Sequence, residues 1–512
     1  MRPEAQTEKS RFPLPFRGHP CYNEKNNKDS PPGTAGGADD MQTSKYSKTE
    51  LFERVPISRA LAAMAIPTII SQLINLIYNM VDAFFIGRTG NSYMMAATTV
   101  TLTLTMLNVA FANLYGVGGG SLIARLMGQK REEEGRKVSA YAIRGAILLG
   151  LGYSTITGLF MDPILRFLGA SDATAGFAGQ YTLFVIVCGS VPAILSQTLA
   201  HLLRNTGHSS QASFGLSMGG VLNMALDPLF MFVLLPRGRE VQGAAVATLI
   251  SNVTACAYLL FAFRRASGKA PLTLDLRRAK GLAKELRRSL YTVGVPSAVL
   301  TGLFDLASVC VNKLAAAHDD LVLAAFGIVM KVERIPNAVN IGICQGMMPI
   351  VAYNYASGNR VRMRAAIRTA RTCGLAVSAV SIALLEIFAR PVSNLFLSTS
   401  AGDAAGALTT VAFAAAFLRV RCLAAPVQLI NYHSSFSLQA IGNGRDTMLH
   451  ACVRELGIYI PLMVLLDRLF GEMGLAAALP AGEGLAAIFA LWLLHRALNA
   501  NSKMPNETEN HI

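Results

Sequence analysis

The chain has 512 residues, of which 52% are hydrophobic and only 15% charged, and it carries a formal net charge of +15. Soluble domains usually carry roughly 25% charged residues, so this composition, with a positive mean hydropathy, excludes an ordinary soluble domain and points to a bilayer. The excess of positive charge raises nucleic acid as a partner, a question that the position of the charges decides.

The first 40 residues, which include SPPGTAGGADD, are polar and rich in Pro and Gly. They hold too few apolar side chains to fold alone and lack the compact apolar core of a signal peptide. Residues 1–50 are therefore expected to form a disordered extension, with Met41 an alternative start to Met1. Beyond it, apolar stretches of the roughly 20 residues needed to cross about 30 Å of hydrocarbon recur about twelve times. They lie near 60–87, 94–123, 136–160, 176–204, 208–234, 241–264, 290–316, 321–347, 363–388, 405–433, 446–467 and 474–496. A transmembrane barrel needs segments of about ten residues alternating in polarity, so the spans are expected to be helices.

Basic residues crowd alternate connections. Arg125, Lys130, Arg131, Arg136 and Lys137 follow span two; Arg264, Arg265, Lys269, Arg277, Arg278, Lys280, Lys284, Arg287 and Arg288 follow span six; Arg360, Arg362, Arg364, Arg368 and Arg371 follow span eight. Lys and Arg are retained on the cytoplasmic side during insertion. The asymmetry therefore predicts a multi-pass protein of the inner (plasma) membrane with both termini cytoplasmic, and it accounts for the charge without nucleic acid. The eight cysteines include no CxxC pair and fall mostly inside spans, as small apolar residues do, and they suggest neither a disulfide framework nor a zinc site.

Landmarks recur at a nearly constant offset: Ile66-Pro67 with Val295-Pro296, Gly116–Gly128 with Gly346–Gly358, and Pro163 with Pro391. The expected fold is an all-α membrane protein with twelve transmembrane helices in two six-helix bundles. Its N-lobe covers 51–270, a basic cytoplasmic linker 271–288, its C-lobe 289–500 and a tail 501–512. Because six is even, both lobes enter from the same side, which makes the repeat parallel about the membrane normal. A cleft between two such lobes can open to either face.

A charge at the centre of a spanning helix costs about 2.5–3.5 kcal/mol on insertion scales and asks for a partner or a use. Asp82 lies about 33 Å along span one and Asp227 about 28 Å along span five, both in the outer half. Asn223 shares a helix face with Asp227, Pro228 loosens the ladder beside it, and Thr248 lies about 10 Å below the outer surface in span six. Two carboxylates, an amide and a hydroxyl in one layer suit a sodium ion, and paired carboxylates also hold protons. The alternatives are structural: Asp82 capping a helix or pairing with Arg88, Asp227 serving a proline kink, and Asn223 and Thr248 bonding across helices for packing alone.

In the second lobe Asp305, Lys331, Glu333 and Arg334 are expected to line a cavity or to neutralise one another. Arg419, Arg421, Arg454 and Glu455 read as ion-paired residues of the same kind, and Glu386 as a residue snorkelling to a helix end. GVGGGS at Gly116–Ser121 lacks the Lys-Ser or Lys-Thr of a phosphate loop and lies inside a span, which predicts close helix packing. His201 and His433 lack metal-ligand spacing and are expected to be hydrogen-bonded or interfacial.

The stretches LAAMAIPTIISQLINLIYNMVDAFFIG, GGGSLIARLMGQ and NMALDPLFMF with GAAVATLIS resemble the multidrug and toxic compound extrusion (MATE) transporters, most closely their MepA-like bacterial branch. FGIVMKVERIPNAVNIGICQGMMPIVAYNYASGN and LQAIGNGRD in the second lobe resemble the matching signatures, and the likeness runs from about Leu51 to Arg496. It implies two bundles in a V, export of small organic, mostly cationic compounds against inward sodium or proton flow, and a cation site at Asp82, Asn223, Asp227 and Thr248. Some members of that family carry an acidic residue in span seven, and Asp305 lies near that place, one residue out of register. A monomeric antiporter without cofactor or enzymatic activity is thus expected, with a lipid-linked precursor flippase and a membrane-embedded enzyme as rivals.

Overall fold

A computed structural model describes residues 48–236, 238–397 and 404–500, and among them all regular structure is helical. The expectations for the first 47 residues, including the choice between Met1 and Met41, and for the tail 501–512 lie outside the described residues. A short helix α1, Lys48–Glu53, straddles the boundary drawn at residue 50. The N-lobe then contains α2 (Ile57–Arg88), α3 (Ser92–Gly128), α4 (Glu132–Leu159), α5 (Met161–Phe167), α6 (Asp172–Thr182), α7 (Ser190–Asn205), α8 (Ser209–Leu229) and α9 (Glu240–Ala266). The C-lobe contains α10 (Lys284–His318), α11 (Asp320–Ala356), α12 (Arg360–Leu397), α13 (Ala404–Cys422), α14 (Ala425–Ile441), α15 (Gly444–Cys452) and α16 (Ile460–Ala500).

Among the described residues eight helices are long and apolar enough to cross a membrane, and ten spans result when the two bent pairs α6–α7 and α13–α14 each count as one. The remaining two of the twelve have physical explanations. Helix α11 is 37 residues long and as apolar on average as α2, but Asp320, Lys331, Glu333 and Arg334 interrupt its first half. Helix α16 is interrupted at Gly471, whose φ of 60° and ψ of −146° lie outside helical space, in the gap expected between 467 and 474. Only glycine adopts such a conformation without strain.

The internal repeat is visible in these irregularities. Span four bends by 50° between α6 and α7, and span ten bends by 49° between α13 and α14. Spans five and eleven both contain a π-helical segment, Phe230–Leu234 and Val453–Tyr459. Pro67 in α2 has its counterpart in Pro296 of α10.

The two lobes meet on the side of the basic loops. Glycines make that approach possible: a Cβ on Gly294 would lie 2.0 Å from the Leu114 carbonyl oxygen, one on Gly118 2.5 Å from that of Leu290, and one on Gly128 2.3 Å from that of Tyr353. Ser121 Oγ donates to Gln439 O across the lobes at 2.6 Å, and Asn113 Nδ2 donates to Thr301 Oγ1 at 3.0 Å. These contacts lie from the helix midpoints towards the basic loops. The GVGGGS stretch packs on two sides: Gly118 faces α10 across the lobes, while side chains at Gly116 and Gly120 would collide with His201 and Asn205 of α7 within the N-lobe. On the basic face Arg362 clamps α1, donating from Nε to Phe52 O at 2.6 Å and from Nη2 to Val55 O at 2.5 Å.

Candidate functional site

Asp82 lies six residues from the end of α2, and Thr248 eight residues from the start of α9. At 1.5 Å per residue both stand about 9–12 Å from the ends remote from the basic loops, and Asp227 lies at the corresponding end of α8. Pro228 donates no backbone hydrogen bond, and the ladder passes into the π-helical turn Phe230–Leu234 immediately after it. Such turns re-aim side chains and occur frequently at functional sites.

Asn223 Nδ2 donates to Asp227 Oδ1 and to Thr248 Oγ1, both at 3.2 Å. Asn223 and Asp227 are 2% and 0% exposed, while Asp82 and Thr248 are half-buried. Asp82 stands within electrostatic reach of Asp227. Three oxygens in this group are buried and lack any protein hydrogen-bond partner: Asp82 Oδ1, Asn223 Oδ1 and Asp227 Oδ2. Buried acceptors of this kind are costly unless something positive or proton-bearing meets them. The structure thus gathers the four first-lobe residues that the sequence singled out. Arg88 makes no ion pair with Asp82; its guanidinium lies over the Phe84 ring at 6.0 Å.

Two tyrosines join the group without having been foreseen. Tyr78 precedes Asp82 by one helical turn and lies within electrostatic reach of both aspartates, a position that i,i+4 spacing makes legible. Tyr181 on α6 adjoins Thr248 and both aspartates, and nothing in its apolar neighbourhood signals this.

The second lobe has a polar centre of its own, in which Glu333, Glu455 and Glu483 each face an arginine. Arg421 binds Glu333 through two hydrogen bonds at 2.9 and 2.7 Å. Arg454 holds Glu483 at 3.0 and 2.5 Å, and Glu455 lies 3.6 Å from Arg454 Nε. Asn431 donates to Glu483 Oε2 at 2.6 Å and meets His450 Nε2 at 3.1 Å. Of the four residues expected to line a cavity here, Glu333 and Arg334 do so, beside Arg421, Glu455 and Glu483. Asp305 is not part of that lining but lies within electrostatic reach of Arg334, and Lys331 is exposed. Arg419 pairs with Glu386 at 3.7 Å. Glu483, a lone carboxylate in an apolar run, was overlooked in the sequence although it gives the same signal as Asp82. His433 Nε2 meets Ile367 O at 2.8 Å, in keeping with a structural histidine.

Two helical lobes around a cleft, with ionisable groups buried at membrane depth, define a two-lobed, multi-pass membrane transporter. The sequence profile MatE matches residues 67–229 and 296–465, and the chain belongs to the MatE family. It is 28% identical over 449 residues to the multidrug export protein MepA of Staphylococcus haemolyticus, covering 88% of this chain and 95% of that protein. It is 29% identical over 448 residues to MepA of Staphylococcus aureus strain NCTC 8325, covering 87% and 95%. The fold superimposes with a TM-score of 0.83 on a MATE crystal structure in complex with MaL6, at 21% identity over 90% of this chain and 100% of that one. It also superimposes with a TM-score of 0.82 on an outward-facing multidrug resistance MATE family transporter of the MOP superfamily, at 21% identity over 90% and 99%.

Proposed function

We propose that this protein is a secondary antiporter of the inner (plasma) membrane that exports small organic, mostly cationic compounds in exchange for sodium ions or protons by alternating access. The observation that carries this reading is the convergence of Asp82, Asn223 and Asp227, whose buried acceptor oxygens lack donors, in the half of the membrane remote from the basic loops. The basic loops face the cytoplasm, as retention of Lys and Arg during insertion requires, so the termini are cytoplasmic and the cleft opens outward. A sodium ion or proton arriving from outside neutralises the pair of carboxylates and stabilises one arrangement of α2, α8 and α9 over another. Coupling follows because the ion binds the two arrangements with different affinity. The working unit is a monomer in the lipid bilayer, and the cycle uses the coupling ion without a further cofactor.

The second lobe supports placing the coupling in the first. Its acids Glu333 and Glu483 are each held by a two-point arginine contact and Asp305 lies within electrostatic reach of Arg334, whereas no arginine or lysine engages Asp82 or Asp227 among the described residues. Of the cations that favour the flippase reading, Arg419 and Arg421 are paired with Glu386 and Glu333, which leaves it Lys331 and Arg334. The relatives carry the name multidrug export protein, in keeping with transport and not conversion.

The test is uptake of a fluorescent organic cation into proteoliposomes with sodium and pH gradients imposed separately. One gradient is expected to drive transport in the parent and neither in Asp82→Asn or Asp227→Asn. Undiminished gradient-driven transport by both variants would sink the assignment.

A further inference from the structure

We propose that the groove between α4 and the linker that joins the lobes is a binding site for an anionic phospholipid, which it holds by the phosphate and one acyl chain. The groove encloses about 320 Å³ and is lined by Arg144, Ile147 and Leu148 of α4 and by Leu276, Arg277 and Lys280 of the linker.

The linker lies along α4 as a strap. Pro271 packs against Gly135, where a Cβ would come within 2.9 Å of it, and the Thr273 amide donates to Ser139 Oγ at 3.0 Å. A 3-10 turn, Leu276–Gly281, then brings Arg277 and Lys280 beside Arg144. Neighbouring arginines are paired: Arg131 with Glu134, and Arg136 of α4 and Arg278 of the linker with Glu133. Arg144, Arg277 and Lys280 form no ion pair with any acid among the described residues, so three like charges converge on one groove without a counter-ion.

Depth identifies what supplies it. Arg144 follows Glu132, the first residue of α4, by twelve residues, or about 18 Å along the helix. Its side chain is exposed. Leu148 and Leu151, at i+4 and i+7 on the same face, are 57% and 51% exposed. A cation followed along its helix by a bare apolar stripe matches a phosphodiester head followed by an acyl chain, and basic pockets at the cytoplasmic side of membrane helices bind anionic head groups. A free phosphate would satisfy the cations and leave Ile147, Leu148 and Leu276 uncovered. The strap is the covalent link between the lobes, so a lipid here fastens that link to the N-lobe.

The experiment measures lipid retention by native mass spectrometry of the purified full chain. The probes are dioleoyl phosphatidylglycerol and dioleoyl phosphatidylcholine, with sn-glycerol 1-phosphate as the soluble competitor. The parent is expected to retain one phosphatidylglycerol in preference to phosphatidylcholine, with no displacement by glycerol phosphate. At roughly fivefold per cation near a membrane surface, the triple variant R144Q/R277Q/K280Q is expected to lose on the order of a hundredfold in retention. The charge-matched control R264Q/R364Q/R368Q keeps it. Arg144→Gln alone, which leaves the strap intact, is expected to lose roughly fivefold and serves if the triple variant does not purify. Equal retention by parent and Arg144→Gln, equal retention of the two lipids, or displacement by glycerol phosphate would each overturn the assignment, the last in favour of a soluble-anion site.

Discussion

Asn223 Nδ2 stands 3.2 Å from Asp227 Oδ1 one helical turn away, and it spends its second donor on Thr248 at the same distance. The amide therefore fixes one oxygen of the carboxylate and ties α8 to α9 while Asp227 Oδ2 remains free. Replacing Asn223 by Ala removes both donors and leaves the carboxylate unoriented. The half-saturating concentration of the driving ion is expected to rise about tenfold, equivalent to about 1.4 kcal/mol, with less change in maximal transport. Titrating proteoliposome uptake against ion concentration measures it; an unchanged half-saturation would mean that Asn223 only packs.

How much of this was legible follows from which physical rules are local. Span positions follow from a fixed rise per residue against a fixed hydrocarbon thickness, and the break expected after 467 appears at Gly471. The repeat offset pairs span four with span ten, and the structure adds to that pairing bends of 50° and 49° that were not read from the sequence. Asp82 and Asp227 were readable because a charge in hydrocarbon demands a reason. Tyr181 was not, because its role depends on how α6 bends over α9. Nor was the pairing of Arg454 with Glu483, which joins spans eleven and twelve across 29 positions. Helices apolar on every side do not announce which face meets which neighbour.

The Arg454–Glu483 pair is buried on both sides, at 2% and 4% exposure. Removing one partner of a buried pair strands the other, at about 3–5 kcal/mol. Arg454→Met leaves Glu483 and Glu455 facing each other without a cation, whereas Glu483→Gln leaves Arg454 beside Glu455 and keeps an amide near Asn431. The expected order of thermal stability in detergent is parent, then Glu483→Gln, then Arg454→Met, read as unfolding temperature by intrinsic fluorescence. A reversed order would show that the arginine is the less tolerable of the two when left alone.

Arg362 holds the end of α1 by three carbonyls, those of Phe52, Leu51 and Val55, while Phe52 stacks on Tyr353 at 5.3 Å. Hydrogen bonds from a charged donor contribute about 1.5–3 kcal/mol each at most, and part of that is offset by the entropy of ordering the clamp. Arg362→Ala is expected to accelerate amide hydrogen exchange across residues 50–55 by at least tenfold, with little change in α8 or α9. Exchange mass spectrometry resolves the two regions, and a protected α1 in the variant would assign its docking to the Phe52 stack and to the bonds from Asn354 and Tyr353.

Gly294 of α10 meets Leu114 of α3 where the lobes close on the basic face. A methyl group there would lie 2.0 Å from a backbone oxygen, which neither rigid helix can yield locally, because interfaces of packed helices give way by moving whole elements. Gly294→Ala is therefore expected to push the lobes apart on the basic side and to disfavour the closed arrangement. Gly302, two turns further along the same helix, has nothing within 4 Å of its Cβ position, so Gly302→Ala keeps the parent's behaviour and gains slightly in helix propensity. Spin labels placed on α3 and α10 at the basic end report the lobe separation by double electron–electron resonance. A longer distance with reduced transport in Gly294→Ala, and neither change in Gly302→Ala, is the expected result. Identical distances in the two variants would mean that the close approach at Leu114 does not hold the lobes in register.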